Sequence, residues 1–199
     1  SGAAFGDEFQ VNTYTSSHQY DPSVTALADG GFMVTWESSG QDGSGYGVYG
    51  QRYDADGNTD GGEFRINSYT ANNQVNPSIA ALEDGGFVVT WQSYNQEETS
   101  GDWNSHNVYA QRYDKDGNAH ADGEFLINTY TSGQQYDASV TGLNNGGFVV
   151  TWRDDSGQSG SRGGSGYDIF GQIYDKDGKT VGDEFLINDT VSGQQSNPQ

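Results

Sequence analysis

The stretch "DGGFVVTW" at residues 84–91 decides the fold of this chain. It recurs as "DGGFMVTW" at residues 29–36 and as "NGGFVVTW" at residues 145–152, so the chain is built from repeats. The glycine pair is typical of a tight β-hairpin turn, because glycine adopts positive φ at no steric cost. The run that follows it is apolar on both faces, which predicts a central strand covered on both sides.

A second recurring segment sets the repeat length. "GDEF", "GGEF", "DGEF" and "GDEF" begin at residues 6, 61, 122 and 182. Their glutamates Glu8, Glu63, Glu124 and Glu184 follow one another at intervals of 55, 61 and 60 residues. The sequence therefore predicts one repeat over 1–60, a second over 61–121, a third over 122–181 and the start of a fourth over 182–199.

Each repeat has the pattern of four short strands. In the second repeat these are "EFRIN", "PSIAAL", "GFVVTW" and "NVYAQRYD", and the polar residues of the last suggest a more exposed position. No helical period occurs anywhere. We therefore predict an all-β fold of three four-stranded antiparallel units, each of about 60 residues, without significant helix.

A propeller-like arrangement fits units of this size, because propeller blades bury both faces of a sheet against their neighbours. A β-trefoil-like fold is the alternative, since it also has three four-stranded repeats. Propellers carry roughly 4–8 blades. Three repeats would thus be either a slice of a longer array or one of several chains that complete an assembly.

Acidic residues dominate the charge, since 28 Asp and Glu against 8 Lys and Arg give a formal net charge of −20. Phosphate binding needs a basic surface, so we do not expect nucleic acid as a partner. No apolar run approaches the roughly 20 residues of a membrane span, so membrane insertion is not expected either. The chain has no cysteine, and its stability must come from its core or from metal.

The acidic turn "YDADGN" at residues 53–58 and its copies are candidates for calcium binding. Calcium takes six to eight oxygen ligands at about 2.3–2.6 Å, and oxygen side chains at alternate positions of a tight loop can face one point. The alternative is a hairpin turn without metal, because Asp-Gly is a favoured turn pair. The candidate ligands are Asp54, Asp56, Asn58 and Asp60, then Asp114, Asp116 and Asn118, then Asp175 and Asp177.

Two further sets of polar residues have simpler interpretations. One set lies in the long connections between the last two strand segments of each repeat, those equivalent to "GFVVTW" and "NVYAQRYD". A solvated loop is expected there, and the set comprises Asp42, Glu97, Glu98, Asp102, Asp154 and Asp155. The other set precedes proline or a small residue at equivalent places, and we expect Asp21, Asn76 and Asp137 to start a turn.

Several segments, such as "YDPSVTALADGGFMVTW" and "GGEFRINSYT", resemble tandem β-repeats of large secreted bacterial proteins, many of them RTX-type adhesins and surface-layer-like proteins exported by type I secretion. The resemblance covers nearly the whole chain. It implies an extracellular structural or adhesive module that is often calcium-dependent, although the "GGxGxD" array of RTX proteins is absent from the sequence. The turn in "DGGFVVTW" is also similar to the Asp-box turn of sialidase-type propellers, without its full Ser-x-Asp pattern.

Enzymatic activity is not expected from the sequence. His18, His106 and His120 fall at positions that do not repeat, which argues against a Ser-His-Asp triad or a zinc site. The repeated glutamates cannot form a unique catalytic pair, because repetition indicates a structural role. We expect each of them to bond a backbone N–H or one of the arginines Arg52 and Arg112.

The sequence thus predicts an extracellular, cell-surface repeat module, stabilised by calcium, of a larger secreted or filament-forming protein. Its partners would be neighbouring repeats or other copies of the same protein. A lectin-like carbohydrate-binding module is the alternative, with glycans as partners. For that alternative, the aromatic residues Tyr46, Trp103 and Tyr167 near the ends of the long connections are the candidate ligand-binding residues.

Overall fold

The computed structural model describes residues 6–97, 105–157 and 167–188, and these form three four-stranded antiparallel sheets. The first sheet consists of β1 (Gln19–Ala26), β2 (Phe32–Ser39), β3 (Tyr46–Tyr53) and β4 (Thr59–Arg65). The second consists of β5 (Gln74–Ala81), β6 (Phe87–Tyr94), β7 (His106–Tyr113) and β8 (Phe125–Leu126). The third consists of β9 (Gln135–Gly142), β10 (Phe148–Asp154), β11 (Asp168–Tyr174) and β12 (Thr180–Leu186).

The prediction of an all-β fold with three four-stranded antiparallel units is confirmed. The described residues contain no helix, and hence none that could cross a membrane. Strands follow one another in each sheet in chain order. The first strands lie side by side, with β5 packed against both β1 and β9. The three sheets are therefore arranged radially, with β1, β5 and β9 innermost.

The "EF" strand takes the last place in its sheet rather than the first. It pairs with the third strand through the short acidic hairpin, as Tyr53↔Thr59 and Tyr174↔Thr180 show. Each sheet therefore crosses the sequence boundary between two repeats. This happens because the hairpin is the shortest connection available, and a local connection favours pairing of the strands on either side of it.

The core lies between adjacent sheets. One cluster joins the first two sheets and includes Met33 and Val48 on one side and Phe87 and Trp91 on the other. An equivalent cluster joins the second and third sheets. Trp36, Trp91 and Trp152 are buried at the same position of their sheets. Trp91 and Trp152 are thus covered by the preceding sheet, whereas Trp36 lies in a cluster with Val11 of the segment before the first sheet.

The strand "NVYAQRYD" is not more exposed than its neighbours, contrary to the prediction. All eight residues of β7 are buried, because the strand lies between β6 and β8 and is covered by flanking sheets. Its polar side chains have partners: Gln111 Nε2 donates to the Arg112 carbonyl at 2.8 Å, and Asn128 Nδ2 donates to Asn107 Oδ1 at 2.8 Å. Polar residues here indicate hydrogen bonding rather than exposure.

Three of the repeated glutamates hold the segment that leads into the first strand of their own sheet. Glu63 Oε2 accepts hydrogen bonds from the Thr13 backbone N–H at 2.6 Å and the Thr13 hydroxyl at 2.9 Å. Glu124 accepts the same pair of bonds from Ser68, and Glu184 accepts them from Thr129. The expected bond to a backbone N–H is therefore present, whereas Arg52 pairs with Asp29 instead. We call these contacts the glutamate latches.

Candidate functional site

The innermost strands carry a bulge near their first residues. Asp21, Asn76 and Asp137 have φ of 47°, 54° and 51°, in the left-handed region. The register of the inner pair shifts at the same point, between Tyr20 and Ser23 in the first sheet. These three residues therefore lie inside strands. The expectation from the sequence that they start a turn is wrong. A bulge re-aims a side chain, and bulges are common beside active sites.

The repeat symmetry breaks at one position next to this bulge. Glu37, Gln92 and Arg153 hold the same place, directly after the buried tryptophan, and lie opposite Tyr20, Val75 and Tyr136 of the inner strands. An acid, an amide and a base at one structural position cannot all serve the same packing role. We call this end of the sheets, where the innermost strands begin and the second strands end, the axial mouth.

Glu37 is the most perturbed acid of the axial mouth. Its side chain is buried, with a relative exposure of 5%, and its Oε1 accepts a hydrogen bond of 2.6 Å from the Asn76 backbone N–H of the next sheet. Burial raises the pKa of Glu37 to about 7, and the neighbouring Asp21 carboxyl adds to the rise. A carboxyl of this kind holds a proton near neutral pH, which suits it to donate one.

Arg153 occupies the equivalent place in the third sheet with different surroundings. It forms an ion pair with Asp137 at 3.2 Å. Its guanidinium carbon lies 4.9 Å from the ring centre of Tyr136 and 4.4 Å from that of Tyr167. Cation–π contacts of this kind hold an arginine in a defined orientation. The axial mouth therefore has a carboxyl pair on one side and an oriented guanidinium on the other.

Two of the three aromatic residues predicted to bind ligand lie at the axial mouth. The Tyr46 ring is 6.1 Å from that of Tyr20, which is 47% exposed, and the Tyr167 ring is 6.2 Å from that of Tyr136. Trp103 lies outside the described residues. Tyrosine rings beside hydrogen-bonding groups can stack on an apolar sugar face while polar neighbours bond its hydroxyls.

Eight of the nine candidate calcium ligands lie at the opposite end of the sheets, in the turns between the third and fourth strands of each sheet, whereas Asp60 lies on β4 and is 3.4 Å from Arg52 Nε. Asp54 Oδ1 accepts hydrogen bonds from the backbone N–H of Asp56 at 3.0 Å and of Asn58 at 2.8 Å. Asp114 and Asp175 make equivalent bonds. Hydrogen bonds from the Asn58 side chain and backbone lower the pKa of Asp54.

These turns have the backbone conformation of β-hairpins. Gly57, Gly117 and Gly178 have positive φ, as the hairpin interpretation requires. The first aspartate of each turn directs its oxygens at N–H donors rather than towards its neighbouring acids. Among residues 6–97, 105–157 and 167–188, no group of three or more His, Asp or Glu could hold a metal ion. The turns do not fit calcium well, and calcium binding stays a prediction.

The acids of the long connections are only partly solvated. Asp154 is buried at the end of β10, where its Oδ2 accepts a hydrogen bond from Gln135 Nε2 at 3.1 Å, and burial raises its pKa. Asp42 and Asp155 each accept a hydrogen bond from a backbone N–H. Glu97 accepts one from the Tyr109 hydroxyl at 2.7 Å. Glu98 and Asp102 lie outside the described residues.

Two grooves lie away from the axial mouth. They have volumes of about 580 and 680 Å³ and are lined by turn residues of the second and third sheets. Their cations are already engaged, since Lys176 pairs with Asp177 at 2.7 Å and Arg112 donates to the Lys176 carbonyl at 2.5 Å. Size alone does not make a site, so the axial mouth is the better candidate.

The fold is propeller-like. The Hadza microbial sialidase Hz136 is similar with a TM-score of 0.59 over 85% of this chain and 37% of its own, at 11% identity. A thermostable family-43 glycoside hydrolase gives 0.55 over 89% of this chain and 56% of its own, at 12% identity. A protein of unknown function from Dyadobacter fermentans gives 0.53 over 88% and 57%, at 14% identity. No family model and no curated protein matches the sequence significantly.

This chain covers less than two thirds of the length of each of these three structures. At such low identity the likeness shows the fold and nothing finer. Strands and turns that pack alike can arise from different sequences, because packing depends on the apolar pattern more than on individual residues.

The structural neighbours correct two expectations. The resemblance to RTX-type adhesin and surface-layer repeats is wrong, because the fold is shared with a sialidase and a glycoside hydrolase. The expectation that the chain is not an enzyme is contradicted as well, because two structures that share its fold are a sialidase and a glycoside hydrolase. The physical reason is common to both. Repeated glycine turns and aromatic strands specify how sheets pack, and that packing is compatible with many functions.

Sequence reasoning missed Glu37, Arg153 and their neighbours at the axial mouth. A signal was present in the sequence, since the residue after the repeated tryptophan reads Glu in "TWE", Gln in "TWQ" and Arg in "TWR". A position that varies in charge inside an otherwise repeated strand is a candidate for function rather than packing. Its closeness to Asp21 and Asn76 could not be predicted, because it depends on how one sheet packs on the next.

Proposed function

We propose that this chain binds a carbohydrate at the axial mouth, as part of a propeller that acts on glycans. The observation that carries the proposal is the break in repeat symmetry at Glu37, Gln92 and Arg153, beside the bulge of the innermost strands. Positions with a purely structural role carry similar residues in all three repeats, whereas the position after the tryptophan carries a different residue in each. A sialidase and a glycoside hydrolase share the fold, which supports a sugar as the ligand class.

The chemistry of the axial mouth also supports a sugar ligand. Pyranose rings offer hydroxyls for carboxylates, amides and guanidinium groups, and an apolar face for aromatic rings. Asp21, Glu37 and Arg153 provide the first kind of group. Tyr20 is the exposed ring in reach of the carboxyl pair, and Tyr136 stands beside Arg153.

Glycoside hydrolysis is the second candidate, favoured by the state of Glu37. Cleavage of a glycosidic bond needs a general acid whose pKa is raised to near the working pH. The pKa of Glu37 is raised to about 7 by burial, and the Asp21 carboxyl beside it helps to keep the proton on the pair. Glu37 would donate that proton to the leaving-group oxygen, and a second carboxylate would serve the opposite face of the sugar.

Two expectations from the sequence accompany this proposal without being part of it. A role outside the cell agrees with a chain of high acidity and no cysteine that handles glycans, and it stays a prediction. Calcium stabilisation also stays a prediction, since the acidic turns close on their own N–H donors.

A glycan array followed by calorimetric titration of the best ligand tests carbohydrate binding. We expect Glu37→Gln and Tyr20→Ala each to weaken binding at least tenfold. Asp54→Asn, in an exposed turn at the far end of the sheets, should leave it unchanged. Equal binding by Asp54→Asn and Glu37→Gln would contradict a site at the axial mouth. Hydrolysis of an aryl glycoside that is lost in Glu37→Gln even at saturating substrate, and kept in Asp54→Asn, would support the second candidate.

A further inference from the structure

Within residues 6–97, 105–157 and 167–188, the first and third sheets each leave open a face whose equivalents are covered in the other sheets. Val24 is 65% exposed, whereas its equivalents Ile79 and Val140 are 7% and 6% exposed. These three residues occupy the same register, opposite Val34, Val89 and Val150. The exposure of Val24 therefore reflects a missing neighbouring sheet and not the type of residue.

The third sheet shows the same contrast on its opposite face. Ile187 is 45% exposed, whereas its equivalents Ile66 and Ile127 are 5% and 3% exposed. In the first two sheets this isoleucine packs against the next sheet, as part of the clusters that join them. The open face of the third sheet is therefore chemically the same as the two faces that already cover a following sheet.

We propose that a second copy of this chain packs against the first, with the third sheet of each copy covering the first sheet of the other. The two open faces repeat the two sides of the internal junctions, so the contact continues an interface that the chain already makes. Two copies bring six sheets, and six is the only multiple of three within the roughly 4–8 blades of a closed propeller. A closed pair would leave no sheet face uncovered.

Charges at the axial mouth favour this partner. Across the first junction, Glu37 bonds the backbone of Asn76 in the following sheet. Arg153 holds the Glu37 position in the third sheet, and Asp21 holds the Asn76 position in the first. Continuing the same geometry therefore places Arg153 of one copy against Asp21 of the other, and the opposite charges attract. The second copy would contribute this arginine to the carboxyl pair.

The segment at residues 6–13 competes with this contact. Phe9 packs on Tyr53 with ring centres 5.4 Å apart, as Phe64 packs on Tyr113 at 5.8 Å. The Tyr53 hydroxyl donates to the Val11 carbonyl at 3.3 Å, which repeats a bond of 3.4 Å made by Tyr113. Phe9 and Val11 thus occupy the place that Phe185 and Ile187 of a second copy would take. Loosening this segment should strengthen association.

Sedimentation equilibrium of the full chain over a wide concentration range tests the proposal. We expect a weak dimer for the unaltered chain and at least a tenfold lower dissociation constant for Phe9→Asp. Adding Val24→Asp to Phe9→Asp should restore the monomer. In the same background, Arg153→Asp should weaken association at least tenfold, and Asp21→Arg together with Arg153→Asp should recover most of it.

Folding of each variant is checked by far-UV circular dichroism. If Phe9→Asp does not fold, Val24→Asp is introduced into the unaltered chain, where it should abolish the weak dimer. A monomer at every concentration, in both the unaltered chain and a folded Phe9→Asp, would overturn the proposal and assign the open faces to further repeats of a longer polypeptide. A dimer that is indifferent to Val24→Asp and to the charge exchange would overturn it as well. None of these results depends on whether the axial mouth binds a sugar.

Discussion

At the scale of single residues, the hairpin between the first two strands of each sheet depends on a close approach that only glycine permits. An added Cβ at Gly86 would overlap the carbonyl oxygen of Tyr113, and Gly31 and Gly147 are in the same situation. The Asp84 side chain completes the turn, since its Oδ1 accepts a bond of 2.9 Å from the Gly86 N–H. The second glycine of "DGG" is therefore required by contact rather than by φ.

We expect Gly86→Ala to destabilise the chain by about 1–3 kcal/mol, the usual cost of forcing extra volume into a packed site. Urea unfolding followed by tryptophan fluorescence measures the change. Gly62→Ala is the matched control, because an added Cβ there meets nothing within 4 Å. Equal stabilities of the two variants would show that the backbone can move away at the hairpin.

Glu37 should make stability depend on pH. Its pKa is about 7 in the folded chain against an ordinary 4.5, so the folded state holds the extra proton between these values. Stability therefore falls as pH rises from about 4.5 to about 7, by roughly 1–3 kcal/mol. Glu37→Gln should remove this fall, because glutamine does not titrate. The variant should fold, since Gln92 occupies the equivalent place in the second sheet.

Thermal unfolding of both proteins at several pH values from 4 to 8 measures this effect. Glu83→Gln, an exposed change in a turn, serves as the control and should keep the slope of the unaltered chain. A slope that persists in Glu37→Gln would mean that another group titrates in this range.

At the scale of strands and sheets, neighbouring sheets are joined by apolar packing, and the glutamate latches fasten the segment that connects one sheet to the next. The glutamate at each outer strand accepts two hydrogen bonds from a residue in the segment that leads into the first strand of the same sheet, and Glu124 also accepts one from Gln96 at 2.5 Å. Latches of this kind fix the entering segment to the outer strand, because a carboxylate that accepts several bonds has little freedom to move.

Removal of one latch should weaken the attachment of the entering segment to the outer strand. We expect Glu124→Ala to cost about 1 kcal/mol, because it removes the hydrogen bonds from Ser68 and Gln96, although water can replace the acceptor at the exposed Ser68. Glu83→Ala, which removes an exposed carboxylate from a turn, should change stability by less than about 0.5 kcal/mol. Chemical denaturation gives both values. A similar small loss for the two variants would reduce the latch to a surface contact.

At the scale of the whole molecule, the net charge of −20 works against a compact state. Screening by salt should therefore raise the melting temperature. Calcium and magnesium chloride at equal ionic strength separate screening from specific binding. A rise with calcium beyond that with magnesium would support the predicted calcium sites in the acidic turns. Equal rises would contradict them and assign the effect to screening alone.

Much of the fold could be predicted from local patterns. The "DGGFVVTW" repeat specifies a hairpin and a covered strand, and the structure has both at Gly85 and Trp91. The place of the "EF" strand and the burial of β7 could not be predicted, because both depend on which strand pairs with which. Polar residues such as Gln111 suggested exposure in the sequence, whereas neighbouring sheets enclose them together with their hydrogen-bond partners.

The sequence by itself determined the repeat, the all-β class and the hairpin turns, because these follow from glycine conformation and from the spacing of apolar residues within a few positions. Only the tertiary structure decided where the candidate site lies. Glu37, Asp21 and Asn76 are far apart along the chain, and they meet because one sheet packs on the next. The burial that raises the pKa of Glu37 comes from that packing, and no local pattern contains it.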